Sequence, residues 1–185
     1  MYVGGKQKRP DSGYSFNQLS SQNEFICDIA RANRKDVRDT VEAASKSKIG
    51  TSSNFNRSQI LFYLAENLSQ RKETFVNLLM SIVGVNRNQA IKEFEQSCER
   101  IFYYASMADK FEGNIHNPPM RGLTLAVKEP IGIMASIMSN DQPLLSISTI
   151  ISSLFANGNS SIIVPSEKTS PVSYTHLTLP TILLV

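Results

Sequence analysis

The sequence predicts an α/β fold, with a helical N-terminal part followed by one β-α-β unit of a parallel sheet. Three observations carry this. Apolar residues recur at helical spacing through most of residues 33–113. The pair Pro118-Pro119 then breaks the helical character, because proline has no amide proton and clashes with the preceding turn. Beyond it, two apolar runs of strand length bracket one run of helix length.

Residues 1–32 read as extended and turn-rich, punctuated by Gly4, Gly5, Pro10 and Gly13, with a strand at Phe25-Ile-Cys-Asp-Ile29. Asn33 is suited to cap a helix with Asp36 in its first turn and Val37, Val41 and Ala44 on one face. Asn56 and Gln59 have capping-box spacing ahead of Ile60, Leu61, Leu64 and Leu68. Phe75, Leu78, Leu79 and Ile82 make the next stripe, and Gly84 stops it. Asn86 opens a long helix whose inward residues are Ile91, Phe94, Cys98, Ile101, Phe102 and Ala105. These stripes read as core packing, and Cys98 as a buried, inert thiol.

Leu123–Val127 alternates as an antiparallel ribbon strand, and Ile133–Ile137 suits a buried parallel strand. Pro143 starts a helix running through Ile147, Ile151 and Phe155. Asn157-Gly-Asn159 ends it, and Ser160–Val164 is the second parallel strand. This unit puts Ser139–Gln142 and Pro165–Glu167 at the carboxyl ends of neighbouring strands, the edge where open α/β sheets bind ligands. Without further strands and helices, Ile133, Ile137, Ile162 and Val164 are expected to lie wet.

Composition narrows the function classes. The 185 residues are 41% hydrophobic and 19% charged, ordinary for a globular chain. The net charge of +3 is small and scattered, so neither nucleic acid nor a membrane surface is an expected partner. Cys27 and Cys98 have no metal-ligand spacing, so no metal is expected, and reduced thiols suit a cytoplasmic location. No signal peptide and no bilayer-length apolar run is visible.

Four motifs then occur in order: Glu129-Pro-Ile-Gly-Ile-Met-Ala-Ser-Ile137, Pro143-Leu-Leu145, Leu154-Phe-Ala-Asn-Gly-Asn159 and Ile163-Val-Pro-Ser-Glu167. They resemble the aldehyde dehydrogenase superfamily, which reads E-P-x-G-V-x-x-x-I, P-W-N-x-P-L, A-L-A-x-G-N and K-P-S-E at this spacing. Any one motif is weak; four in order are specific. Residues 1–172 thus resemble the N-terminal part of that family's Rossmann-like NAD(P)-binding domain, truncated, with 114–129 as the bridging, oligomerising ribbon. Tyr2-Val-Gly-Gly-Lys-Gln7, Pro118-Pro-Met-Arg-Gly122 and Asp141-Gln-Pro-Leu-Leu145 are similar to a narrower group, the degenerate second module of two-module, family-sixteen-type enzymes.

The resemblance implies oxidation of an aldehyde to an acid with NAD or NADP, through a cysteine thiolate and a glutamate-activated water. The matching cysteine and glutamate motifs are absent here, so no catalytic residue is expected and the chain alone should be inactive. By the same resemblance, Ile137, Met138, Ser139, Ser166 and Glu167 fall at cofactor-binding positions. Counting back from Pro143, the family's oxyanion asparagine is Asp141, and Asn140 stands one residue early. A carboxylate there opposes the developing negative charge. The family's ribose-contacting lysine is Val164. The implied partner is a catalytic aldehyde dehydrogenase module or a second copy of the chain. Two other readings stand beside this one: a fragment of a competent enzyme with unusual residues, and a helical interaction module. Residues 173–185 depart from the family and resemble an adapter-derived string, so a non-native tail is expected there and His176 receives no role.

Overall fold

The computed structural model describes residues 1–119, 121–174 and 183–184. A small antiparallel pair, β1 (Tyr2–Val3) and β2 (Lys6–Gln7), precedes an antiparallel ribbon of β3 (Ser15–Leu19) and β4 (Phe25–Ala30). Helices α1 (Arg34–Ser45), α2 (Asn54–Ser69), α3 (Lys72–Val83) and α4 (Arg87–Met107) follow. A second ribbon pairs β5 (Asn114–His116) with β6 (Thr124–Ala126), antiparallel and separate from the main sheet, as the alternation predicts. The chain then forms β7 (Ile133–Ile137), α5 (Pro143–Ala156), β8 (Ser160–Val164), α6 (Ser170–Tyr174) and β9 (Leu183–Leu184).

The main sheet has the order β2-β1-β9-β8-β7. β7 and β8 are parallel, with Ile133 opposite Ser160 and Ile137 opposite Val164, as a β-α-β unit requires. α5 packs on α4 and on β8, while α1 lies against β7 and β8. The core therefore sits between the sheet and the helical part, with Phe75, Leu61, Leu79, Ile101, Leu144 and Ile151 fully buried. Residues 175–182 and 185, most of the expected tail and His176, lie outside the described residues.

The predicted caps at Asn33, Asn86 and Gly84 are present: both asparagines form capping boxes, and Gly84 takes the left-handed φ of 77° that favours glycine. Five expectations need correction. Phe102, read as inward, is 37% exposed and lies beside the Phe62 ring. β7, read as a buried strand, has Ile133, Ala135 and Ile137 exposed, because it is the last strand of the sheet among the described residues. α1 buries Ala44 as predicted, but its inward face is rotated by one residue: Val37 and Val41 are exposed, and Asp36 and Thr40 are buried beside Ala44. Asp36 is drawn inward because its carboxylate accepts the amides of Asp11 and Asn33, while the Thr40 hydroxyl donates to the Asp36 carbonyl. α2 begins earlier than expected, capped by Ser53, whose hydroxyl accepts the Asn56 amide. Ile162, expected to lie wet, is covered by Ala44 of α1.

Candidate functional site

The loop Ser139–Gln142 leaves β7 and turns into α5. Its backbone is set by two neighbours. Met138 is buried, and its amide donates to the Val164 carbonyl at 2.9 Å, carrying the parallel register one step past the strand end. Pro143 occupies the first turn of α5, where a missing amide proton costs nothing. Proline also disfavours a right-handed helical residue before it. Gln142 instead takes φ 44°, a left-handed conformation costing on the order of 1 kcal/mol for a residue with a side chain.

Gln142 makes no side-chain cap on α5. The orphan amides at that terminus find their acceptor elsewhere: Glu93 of α4 accepts from the Leu144 amide at 2.9 Å and the Leu145 amide at 3.4 Å through Oε1. Glu93 is 5% exposed. Burial pushes its carboxyl up from the ordinary range, and the two amides offset part of that. The sign of the pH effect follows. With the folded-state pKa raised, the folded chain binds more protons once the pH passes the ordinary carboxyl value of about 4.3. The Glu93 contribution to stability is therefore greatest below that value and falls as pH rises through the raised pKa. Glu93→Gln, which keeps the acceptor, is expected to flatten this decline in urea midpoint against pH. Glu93→Ala should instead lower stability by roughly 1–3 kcal/mol, the penalty of stranding buried amides. A Gln variant with the parent's slope would contradict the assignment.

The opposite end of the unit is held by Arg57 of α2, which is 7% exposed. Its Nε donates to the Ala156 carbonyl at 3.1 Å, and Nη1 to the Ser52 carbonyl at 2.5 Å. Burial lowers its pKa. Gly158 has a φ of 75°, and a Cβ there would stand 3.2 Å from Nη1 of Arg57, so both conformation and space ask for glycine. Asn159 accepts the Gly132 amide through Oδ1 at 2.9 Å, tying the start of β7 to the start of β8.

The fold brings Ser139, Asn140 and Ser166 to one edge, where the Ser166 hydroxyl donates to Oδ1 of Asn140. Asp141 is exposed; its carbonyl accepts the Ser146 hydroxyl at 3.2 Å. Ile137 is 87% exposed and Val164, opposite it in register, is 38% exposed. Glu167 is exposed. Ser166 also organises the turn after β8: its hydroxyl accepts the Lys168 amide at 3.3 Å and its carbonyl the Thr169 amide at 3.2 Å. A dinucleotide at this edge would meet the Glu167 carboxylate, a Ser166 hydroxyl already bound to Asn140, and an apolar Val164 where the resemblance puts a cation. By the resemblance, that set is half of a ribose site: the acid is present and the cation is not. Burial, which desolvates the thiolate, pushes the pKa of both thiols, Cys27 and Cys98, upward, so neither is poised as the thiolate that nucleophilic chemistry needs. Among the described residues, no group of three His, Cys, Asp or Glu side chains could hold a metal ion. No helix among them is long and apolar enough to cross a membrane.

Sequence reasoning missed Glu93 and Arg57. Glu93 lies on the buried stripe between Ala90 and Ser97, and Gln142 is a poor helix cap ahead of Pro143; together these were the available signals.

Comparison with known proteins supplies the context for this edge. A family model described as the aldehyde dehydrogenase family matches residues 12–179. An aldehyde dehydrogenase of Vibrio cholerae is 28% identical over 180 residues, taking in 93% of this chain and 35% of that protein. A cytosolic 10-formyltetrahydrofolate dehydrogenase of Pongo abelii is 26% identical over 191 residues, 97% of this chain and 21% of that protein. Among solved structures, an NAD-dependent aldehyde dehydrogenase of Sinorhizobium meliloti superposes with a TM-score of 0.93 at 26% identity, over all of this chain and 40% of that one. The chain thus spans about a third of the length of the first of these curated relatives, and less of the second.

Proposed function

The chain belongs to the aldehyde dehydrogenase family, and from that premise we propose that it is the N-terminal part of a degenerate module that supports a catalytic partner rather than oxidising aldehydes itself. The observation that carries this reading is Asp141. The family's loop presents an asparagine amide to the oxyanion formed when a thiolate attacks an aldehyde. A carboxylate at that place donates nothing and repels the charge. Val164 supports the same reading from the cofactor side, because it removes the cation expected at the ribose and leaves Glu167 alone. In this proposal the module works in the cytoplasm, assembled with a catalytic module of the same family or with its own copy, as the second modules of two-module enzymes do in the resemblance.

The purified chain is expected to form no NADH or NADPH from any aldehyde, with or without Cys98→Ala. Turnover that disappears in the Cys98→Ala variant would overturn the proposal.

A further inference from the structure

We propose that Glu93 and Arg57 are a pair of positioning residues, a buried acceptor and a buried donor that grip opposite ends of α5 and so set the loop at the candidate site and the turn at the other end of the unit. The inference goes beyond the loss of chemistry argued above and holds whether or not Asp141 abolishes catalysis.

A helix leaves its first amides and last carbonyls unbonded, and a buried terminus must find partners from outside. α5 has no side-chain cap of its own at Gln142. Glu93 supplies one oxygen to two successive amides, Leu144 and Leu145, at 2.9 Å and 3.4 Å. At the far end, the Ala156 carbonyl takes Nε of Arg57 at 3.1 Å. The signs are those a helix favours: an acidic side chain at the amino end and a basic one at the carboxyl end. Neither residue has an ion-pair partner among the described residues. Glu93 is therefore committed to the helix terminus, while Arg57 gives Nε to that terminus and its other donors to the Ser52 carbonyl and to Oδ1 of Asn54, which tie it to the start of α2.

Both grips come from the helical part, Glu93 from α4 and Arg57 from α2, so they fix α5 along its axis relative to that part. The loop 139–142 runs directly into the Glu93 end. The turn Asn157–Asn159 leaves the Arg57 end, and Asn159 passes the constraint on to Gly132 at the start of β7. A shift of α5 along its axis would move both loops together.

Hydrogen–deuterium exchange on the full chain tests this, with the interiors of α2 and α4 as internal references. In the parent, the Leu144 and Leu145 amides should be protected. Glu93→Ala should speed their exchange by roughly tenfold or more, the effect of losing a charge-assisted hydrogen bond, while the references change far less. Glu93→Gln, which keeps an oxygen acceptor, should restore most of the protection. Arg57→Ala should loosen residues 157–160, and Arg57→Lys should restore part of it. Uniform acceleration across α2, α4 and α5 in both alanine variants, failure of Glu93→Gln to rescue, or unprotected Leu144 and Leu145 amides in the parent would overturn the proposal.

Discussion

The chain is expected to self-associate as its concentration rises, and Ile131→Lys combined with Ile137→Lys is expected to drive it back to monomer. β7 is the last strand of the sheet among the described residues, so one row of its backbone groups has no strand neighbour there. Such an edge is a template for pairing with another chain. Apolar side chains on β7 and just before it strengthen the tendency: Ile137 is 87% exposed, Ile133 37%, and Ile131, two residues before the strand, 82%. The β5–β6 ribbon adds Ile115, Leu123, Leu125 and Val127, all exposed. Burying a large apolar side chain contributes roughly 1.5–3 kcal/mol. Removing two from the contact should weaken association by roughly two to four orders of magnitude, at about 1.4 kcal/mol per tenfold. Sedimentation velocity over a range of concentrations reads this directly. A parent chain that stays monomeric throughout, or a double variant that associates as tightly as the parent, would show that this edge is not what drives contact.

In a catalytically active family member carrying P-W-N-x-P-L, changing the asparagine to aspartate is expected to lower kcat by at least about 10²–10³, with little change in KM. Removing one oxyanion donor costs about that much on its own. Aspartate should fall below alanine at the same position, because it adds a negative charge beside a developing one. Transplanting Ser139–Gln142 whole should be as damaging. The register is fixed on both sides, by Pro143 in the first turn of α5 and by the Met138 amide on the Val164 carbonyl at 2.9 Å. Asn140 would have to break one of those constraints to reach the oxyanion position. A loop transplant with near-parent kcat would mean that Asn140 serves and that the module is not degenerate.

The helical part and the β-α-β unit were legible because their signals are local. Gly84 and Asn86 mark a stop and a start through backbone chemistry that operates within a turn, and the apolar runs flanking Pro143 fix both strand length and parallel sense. The phase of α1 was not legible. Val37 and Val41 look like a core face by composition, but the carboxylate of Asp36 answers amides at Asp11 and Asn33, which turns the polar side inward. Glu93 and Arg57 were illegible for a related reason: their partners lie 51 and 99 residues away. A glutamate within a helix and an arginine near a helix start both read as solvated until the far partner is placed. The pairing of β1 with β9 is of the same kind. At the site, the substitutions at Asp141 and Val164 were visible in the motifs themselves, whereas the Ser166–Asn140 hydrogen bond depended on two loops meeting across neighbouring strands.

The measurement closest to the central claim is calorimetric titration of the chain with NAD+ and with NADP+. If the edge formed by β7 and β8 has lost its cofactor chemistry, neither dinucleotide gives a saturable heat. Saturable binding that disappears with Glu167→Ala would contradict the account, because it would mean that the ribose site works without a cation at Val164.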